Sequence, residues 1–253
     1  MKFYILASGS KGNCTVLSHK GQRILIDMGL ALNDFYTRLE EAGIALESIQ
    51  AIFYTHNHSD HLRDFKSIPK DVCYGSKETL SYLEATEENI LEPYIAYNLY
   101  GFKVTPLELS HDRPGTFGYI FEVDDEKLVY ITDTGFINEK NLRLIENATY
   151  YIIESNHNVR MLLKTERPFE LIQRILSDYG HLSNEDSAMY ITEVIGPKTK
   201  EIVLAHLSEE ANTPELALAA YRKIFLRQRI DINQYRVYPA KQWQLTIGGR
   251  DEN

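Results

Sequence analysis

Residues 51–61 read AIFYTHNHSDH, an apolar, strand-like run that ends in three histidines and one aspartate. In an extended segment, the side chains of His56, His58 and Asp60 would project to the same side of the chain. Such a cluster cannot serve a hydrophobic core, and its imidazoles would repel one another when protonated. A divalent cation removes both problems, because imidazole and carboxylate groups suit zinc, manganese or iron. We therefore predict a metal site at residues 56–61; the alternative is a solvated polar loop.

Four more apolar runs end in polar side chains. They end in the segments LSHD, ITDTG, IIESNHN and AHLS, which contain His111, Asp133, Glu154, His157 and His206. Because the ends of neighbouring strands meet at an edge of a sheet, these side chains are candidates to join the cluster at 56–61.

Short runs rich in β-branched and aromatic residues alternate with helical patterns along the chain. Strands are predicted at 3–7, 14–18, 23–26, 51–54, 102–109, 117–123, 127–131, 150–153, 202–205 and 235–238. Helices are predicted at 33–42, 77–84, 169–179, 183–195 and 214–228. The first half is rich in hairpins and the second alternates strand and helix. This pattern predicts an α/β (α+β) fold of two mixed sheets covered by helices.

Composition narrows the protein class. The 253 residues show no domain boundary, so we expect a single domain over 1–253. We expect neither a membrane span nor a signal peptide, and two cysteines are too few for a disulfide framework, which favours the cytoplasm. The net charge of −9 argues against binding nucleic acid by bulk electrostatics alone. An enzyme that reaches phosphate through metal ions remains compatible with that charge.

The motifs together resemble a known family. The segment at 56–61 is similar to the HxHxDH signature of the metallo-β-lactamase superfamily. The segments LASGSKGNC, LIDMGL, THNHSDH, LSHD, ITDTG, IIESNHN, GHLSNEDS and AHLSEEAN stand in the order typical of its YycJ/WalJ subfamily. The resemblance covers essentially the whole chain. It implies a four-layer αββα sandwich with a dinuclear metal site at the sheet edges.

The resemblance also implies which residues hold two divalent ions. The implied ligands are His56, His58 and His111 for one ion, Asp60, His61 and His206 for the second, and Asp133 as the bridge. Asp27, in the DMG turn, would support the ligands from behind. Zinc and manganese are the expected ions, and iron is a further choice.

The segment SGSKGN at 8–13 is not a P-loop, because the required Gly-Lys-Ser/Thr order is absent. We expect a hairpin turn in which Gly9 and Gly12 take positive φ. A functional alternative places Ser8, Ser10 and Asn13 at the mouth of the metal pocket. The residues themselves leave both interpretations open.

The segment after residue 153 offers further candidates. His157 is a candidate substrate contact or supporting residue, and Glu154 or Asn156 is a candidate to orient it. A modestly basic neighbourhood follows, formed by Arg160, Lys164, Arg167 and Arg174. It is either a solvated helix face or a set of contacts to a phosphate backbone.

Two segments, GHLSNEDS at 180–187 and AHLSEEAN at 205–212, look alike. His206 ends a strand-like run, so we expect it at the sheet edge as a metal ligand. His181 follows a helical run that ends at Gly180. It precedes Ser183, which together with Asp186 resembles a capping box. Ser183 is also a candidate to support the metal site or to contact the substrate. We predict that His181 contacts the substrate without binding metal.

Three functions fit these motifs. The first is a two-metal phosphodiesterase that acts on transiently bound DNA through a metal-activated hydroxide, and the resemblance implies a 5′-to-3′ exonuclease. His181, or His157 as second choice, would protonate the leaving oxygen, and Asp60 would serve catalysis as well as metal binding. The second function changes the substrate to a small phosphodiester or cyclic nucleotide, with a thioester or lactone ranked lower. The third is metal or partner binding without catalysis, which the seven intact ligand positions disfavour. The oligomeric state is unknown from sequence.

Overall fold

Short apolar runs build two β-sheets in the computed structural model, which describes residues 1–250. The strands of the first sheet are β1 (Lys2–Ala7), β2 (Cys14–His19), β3 (Gln22–Ile26), β4 (Ile49–Phe53), β5 (Cys73–Tyr74) and β13 (Thr246–Gly249). Their order in space is β13-β1-β2-β3-β4-β5. The β3, β4 and β5 strands are parallel, and the other pairs are antiparallel.

The second sheet has seven strands. They are β6 (Tyr97–Leu99), β7 (Phe102–Glu108), β8 (Phe117–Val123), β9 (Glu126–Ile131), β10 (Tyr150–Glu154), β11 (Glu201–Ala205) and β12 (Arg236–Pro239). They lie in the order β12-β11-β10-β9-β8-β7-β6. The four strands from β9 to β12 are parallel. Because β8 is antiparallel to both β7 and β9, the strands β7 and β9 end at the same edge of the sheet.

Helices cover the outer faces of both sheets, except the two short helices at 159–162 and 169–175, which pack together in a small apolar cluster of their own. The helices are α1 (Leu32–Glu41), α2 (Lys77–Leu83), α3 (Glu139–Ile145), α4 (Val159–Leu162), α5 (Phe169–Ile175), α6 (Asn184–Val194) and α7 (Pro214–Arg227). Thr213 caps α7 by accepting a hydrogen bond from the Leu216 amide, and Pro214 occupies the first turn, as predicted. No helix within residues 1–250 is long and apolar enough to cross a membrane.

The side-chain period of two separates three apolar layers. In β3, Ile24 and Ile26 pack in the core between the sheets, whereas Leu25 packs under α1 with Phe35. In β8 the core between the sheets contains Tyr119, and the neighbouring Ile120 packs against the helices of the second sheet. The order of layers is therefore helix, sheet, sheet, helix, which confirms the expected αββα sandwich.

The structure differs from the sequence-based prediction mainly in short elements. The strands β5, β6 and β13 and the helices α3 and α4 were not predicted, because few residues carry each pattern. The helix α5 ends at Ile175, four residues before the predicted end at 179. Gly180 therefore lies in the following turn and does not end a helix; a Cβ there would lie 2.2 Å from the Ile175 carbonyl oxygen.

The turn at 8–13 joins β1 and β2 as an antiparallel hairpin, as expected. Gly9 has φ +144°, but Gly12 does not take positive φ, so this part of the prediction was wrong. Gly12 is required for space instead: a Cβ there would lie 2.8 Å from the Gly29 carbonyl oxygen.

Candidate metal centre

The predicted ligands meet where strands of both sheets end. His56 and His58 follow β4, and three further candidates, His111, Asp133 and His206, follow β7, β9 and β11. Because β7, β9 and β11 run in the same direction, their ends share one edge of the second sheet. This edge faces the end of β4 in the first sheet.

One group of possible ligand atoms contains three histidines. His56 Nε2 lies 2.9 Å from His58 Nδ1, and His111 Nε2 lies 3.4 Å from the same atom. His56 is fully buried and His111 is 7% exposed. Three nitrogens at this spacing can converge on one cation.

A second group surrounds Asp133, which is 2% exposed. Its Oδ2 lies 3.0 Å from His61 Nε2, and its Oδ1 lies 3.8 Å from His111 Nε2. Asp60 Oδ2 lies 3.5 Å from His206 Nε2 and 3.6 Å from His61 Nε2. Asp133 thus stands between the three-histidine group and the group formed by Asp60, His61 and His206.

Charge in the two groups fits divalent cations. Burial, with neighbouring imidazoles, lowers the pKa of His58 and of His111 to about 4, so both rings are neutral and offer lone pairs. Burial lowers the pKa of His206, but Asp133, Asp60 and Glu154 outweigh it and raise the value to about 10. The carboxylates therefore attract positive charge into a buried place. A bound cation would replace the proton that His206 otherwise holds.

His206 Nε2 and Asp133 Oδ2 are buried and, among the described residues, make no hydrogen bond of good geometry, although Asp133 Oδ2 lies 3.0 Å from His61 Nε2 and His206 Nε2 lies 3.5 Å from Asp60 Oδ2. Buried polar atoms are normally satisfied. These two atoms lie among other potential ligand atoms, so the residues fit a pair of metal ions.

Asp27 lies behind His61. The aspartate is fully buried, and its Oδ2 lies 2.7 Å from His61 Nδ1. Its carboxylate also accepts hydrogen bonds from the backbone N–H and the hydroxyl of Thr55. With Nδ1 engaged, His61 directs Nε2 toward Asp133.

Backbone hydrogen bonds join the hairpin turn at 8–13 and the DMG turn at 27–29 to the histidine segment at 56–61. The Asn13 N–H donates to the Asp60 carbonyl at 2.7 Å, and Met28 and His61 pair through a 2.9 Å backbone hydrogen bond. Only glycine fits at position 29, because a Cβ there would lie 1.7 Å from the Asp60 carbonyl oxygen. The spacing of the ligands therefore depends on contacts between three separate segments.

Three residues of the site have a left-handed backbone. Asp27, Asp133 and His206 have φ values of +57°, +59° and +53°. Each follows a strand and turns its side chain into the site. Non-glycine residues rarely adopt this conformation, which is found preferentially at functional sites.

Glu154 is the shared partner of two histidines. Its Oε1 accepts from His181 Nδ1 and from His206 Nδ1, both at 2.8 Å. Its Oε2 accepts from the backbone N–H groups of Thr134 and Leu182, both at 3.1 Å. Burial alone raises the pKa of this carboxyl, but His181 and the hydrogen bonds from both imidazoles lower it to about 2. Glu154 thus leaves Nε2 as the available ring nitrogen of each histidine.

An open cavity of about 520 Å³ lies over these groups. Its wall includes the ligand candidates His58, His111 and His206 together with His181, which is 15% exposed. Arg167 and Arg174 also line the cavity. Arg160 and Lys164 are exposed elsewhere, so the predicted basic neighbourhood reaches the cavity through two of its four members.

Other predicted residues take different positions. Ser10 lines the cavity, whereas Ser8 accepts the His206 N–H at 2.8 Å. Asn13 Nδ2 lies 2.9 Å from His61 Nε2. Asn156 also lines the cavity and donates to the His206 carbonyl at 3.0 Å. Of the three residues expected at the mouth of the pocket, only Ser10 is there; Ser8 and Asn13 are buried and contact ligand candidates from behind.

His157 and Ser183 lie outside this cavity. His157 is 1% exposed and hydrogen-bonds neither Glu154 nor Asn156; among the described residues its ring nitrogens have no partner. A proton donor must touch the substrate, so this burial argues against our second choice of acid. Ser183 caps α6, accepting the Asp186 N–H at 3.1 Å and donating to its carboxylate, which makes its role structural.

Asp112 was not singled out from the sequence. Its Oδ1 lies 3.3 Å from both His58 Nε2 and His111 Nε2, and its Oδ2 pairs with Arg174. The sequence feature that could have identified Asp112 is its place directly after the candidate ligand His111 in LSHD. A carboxylate at this place ties an arginine of the cavity wall to the three-histidine group.

Replacing Glu154 by glutamine is expected to lower the free energy of unfolding of the metal-free protein by about 3 kcal/mol. The amide would lose the negative charge and turn one N–H group toward existing donors. Glu170→Gln is the matched control, because Glu170 is exposed on α5. Urea denaturation followed by circular dichroism measures both. Equal stability of the two variants would contradict the role assigned to Glu154.

Comparison with known proteins gives consistent matches. Residues 22–207 match a family model described as Beta-lactamase superfamily domain. The chain is 35% identical over 228 residues to Exodeoxyribonuclease WalJ of Streptococcus pneumoniae serotype 2 (strain D39 / NCTC 7466), covering 85% of each chain. It is 32% identical over 227 residues to Exodeoxyribonuclease YycJ of Bacillus anthracis, covering 86% of each.

A solved structure shares the fold. The metallo-beta-lactamase fold protein YhfI from Bacillus subtilis aligns with a TM-score of 0.71 at 16% identity, over 98% of this chain and 99% of that chain. At this level of identity the likeness concerns the arrangement of layers.

Proposed function

Because this chain belongs to the metallo-β-lactamase superfamily, within its WalJ/YycJ-type group, we propose that it is a metal-dependent exodeoxyribonuclease. It hydrolyses phosphodiester bonds in DNA, which it binds transiently. We further propose the 5′-to-3′ direction that the sequence resemblance implies.

One observation carries this proposal. Seven candidate ligands converge under an open cavity whose wall also contains two arginines. Metal-ligand groups and guanidinium groups around one cavity suit a phosphodiester, whose non-bridging oxygens carry the negative charge next to the reacting phosphorus. The relatives named as exodeoxyribonucleases favour DNA over a small phosphodiester as the substrate.

The ligand set contains imidazole nitrogens and carboxylate oxygens, so we propose zinc or manganese, with iron as a further choice. When bound, two such ions would lower the pKa of a water molecule and balance the charge that develops on the phosphate oxygens. His56, His58 and His111 would hold one ion, Asp60, His61 and His206 the other, and Asp133 both.

His181 is the proposed general acid. Glu154 holds its Nδ1, so its Nε2 is the nitrogen that can deliver a proton to the leaving oxygen of a substrate in the cavity. The same carboxylate orients His206, which links the acid to the metal-binding edge. A change in the position of Glu154 would therefore affect both groups.

Arg167 and Arg174 are the proposed phosphate contacts. Arg167 Nε donates to Glu210 at 2.9 Å, and Arg174 pairs with Asp112. A phosphate entering the cavity would compete with these carboxylates for the guanidinium groups. Two local contacts of this kind permit DNA binding by a chain whose net charge is −9.

A direct assay tests the function. Protein loaded with zinc or manganese is offered 5′-phosphorylated duplex DNA and, separately, a small chromogenic phosphodiester. We expect release of mononucleotides from the DNA, beginning at the 5′ end. Cleavage of the small ester alone would replace DNA by a small phosphodiester as substrate. Inactivity on both, with full metal occupancy, would indicate a binding protein.

We also propose that the protein acts in the cytoplasm. Both cysteines, Cys14 and Cys73, are free and buried, which agrees with a reducing compartment.

A further inference from the structure

A second cavity of about 310 Å³ adjoins the metal cavity and shares His111 with it. Two aromatic side chains line it, Phe136 at 37% exposure and Tyr179 at 63%. The large apolar clusters of the fold contain neither residue. These rings are therefore presented to solvent beside the candidate metal centre.

Both rings are tied to residues of the centre. Phe136 lies three positions after Asp133, and Tyr179 lies two positions before His181. The Thr134 hydroxyl donates to the Phe136 carbonyl at 2.8 Å, and the Gly135 N–H donates to the Ser110 carbonyl at 3.0 Å. The backbone at Phe136 is thus anchored to the segment that carries His111.

The loop of Tyr179 packs directly against the loop of Phe136. A Cβ on Gly135 would lie 2.3 Å from the backbone carbon and oxygen of Asp178. The backbones of the two loops therefore touch without intervening side chains. Tyr179 is further restrained by its N–H, which donates to the Ser177 hydroxyl at 3.3 Å. The position of both aromatic residues relative to His111 and His181 is therefore set by backbone contacts.

We propose that Phe136 and Tyr179 form a stacking site for a nucleobase of the nucleotide adjoining the scissile phosphate. This inference rests on the proposed nuclease function and names the part of the substrate that enters the second cavity. A phosphate at the metal centre has its nucleoside next to it, and the second cavity begins at His111. Arg113, also on its wall, adds positive charge beside a neighbouring phosphate.

Stacking on exposed aromatic rings suits a nuclease that does not select sequence. Every base has a π-face, so the contact tolerates all four bases, and each base stacked on an aromatic side chain is stabilised enough to change affinity about tenfold or more. The cavity also requires that the base leave the duplex stack, which is easiest at a strand end. The site thus favours a terminal nucleotide.

An abasic substrate tests the stacking site. The metal-loaded protein is given DNA strands with a normal nucleotide or an abasic residue on either side of the scissile phosphate at the cleaved end. For the natural protein, we expect kcat/KM to fall about tenfold at one of the two abasic positions. In Phe136→Ala and Tyr179→Ala the ratio between intact and abasic DNA should shrink toward one. Variants that keep the natural ratio would overturn the proposal.

A binding measurement avoids turnover. Metal-loaded protein is titrated into a DNA strand that has cleavage-resistant phosphorothioate linkages and fluorescent 2-aminopurine at its end, where stacking on an aromatic ring quenches the fluorophore. We expect quenching with the natural protein and with Tyr36→Ala, whose ring is 47% exposed on α1, and weaker quenching with either cavity variant. Equal quenching in all four proteins, or none in the natural protein, would overturn the stacking site.

The two experiments separate the stacking site from the proposed function. If the natural protein fails to cleave DNA, the nuclease function is wrong, and the quenching result alone decides whether the aromatic pair binds a base. If DNA is cleaved equally with and without the base, only the stacking site is wrong.

Discussion

Replacing His206 by alanine is expected to remove one of two bound metal ions, whereas His181→Ala keeps both and lowers kcat about 100- to 10,000-fold. The two histidines look equivalent at first, because each holds Glu154 Oε1 through Nδ1 at 2.8 Å. Their surroundings differ. His206 is 2% exposed, and its Nε2 lies 3.5 Å from Asp60 Oδ2, whereas His181 is 15% exposed at the cavity wall.

Metal analysis of dialysed protein, together with steady-state kinetics on DNA, measures both effects. His206 has φ +53°, where alanine is strained, so His206→Asn serves as a second variant whose residue type tolerates this backbone. Thermal unfolding checks that each variant is folded. Loss of metal in His181→Ala with full metal in His206→Ala would show that the assignments are exchanged.

Replacing Asp133 by alanine is expected to reduce metal content as well as activity, by about a thousandfold or more in kcat/KM. The carboxylate stands between the two ligand groups, with Oδ2 3.0 Å from His61 Nε2 and Oδ1 3.8 Å from His111 Nε2. Burial raises the pKa of Asp133, but His206 and His61 lower it well below its usual range, so the group is ionised. Its removal would leave each of the two proposed ions with one ligand fewer.

Asp125→Ala is the matched control, because Asp125 is exposed in the turn between β8 and β9. Elemental mass spectrometry after titration with metal measures the metal content. DNA cleavage at saturating metal measures the activity separately. Unchanged metal content in Asp133→Ala would exclude the bridging role. Activity restored by excess metal would instead indicate that Asp133 contributes affinity and no further chemistry.

Local chemistry predicted much of the architecture. Continuous apolar runs identified the longer strands, since a strand with one face toward helices and the other toward the second sheet needs apolar residues on both. Helix caps such as Ser183 and Thr213 were predictable because capping involves residues three apart. The strand β13 was missed, because Thr246–Gly249 is short and pairs with β1 at the other end of the chain.

The candidate site divides in the same way. The HxHxDH run and the polar ends of later strands identified the candidate ligands, because clustered imidazoles and carboxylates have few other uses. The sequence could not assign Glu154 to His181 and His206 in place of His157, since residues 27 and 52 positions apart meet through strand order and loop packing. Nor could it predict the left-handed backbone at three site residues, or the burial of His157.

By itself, the sequence determined two mixed sheets covered by helices, the metal-binding character of residues 56–61 and the different local settings of His181 and His206, because these depend on neighbours along the chain. The resemblance of its motifs to a known family implied the αββα order of layers and the full ligand set. Only the tertiary structure decided that one buried carboxylate orients both histidines, that two of four basic residues reach the cavity, and that Phe136 and Tyr179 stand beside it. These features depend on how parallel strand ends and their loops pack across the sheet edge. Such distances between remote residues are set by the packed core as a whole.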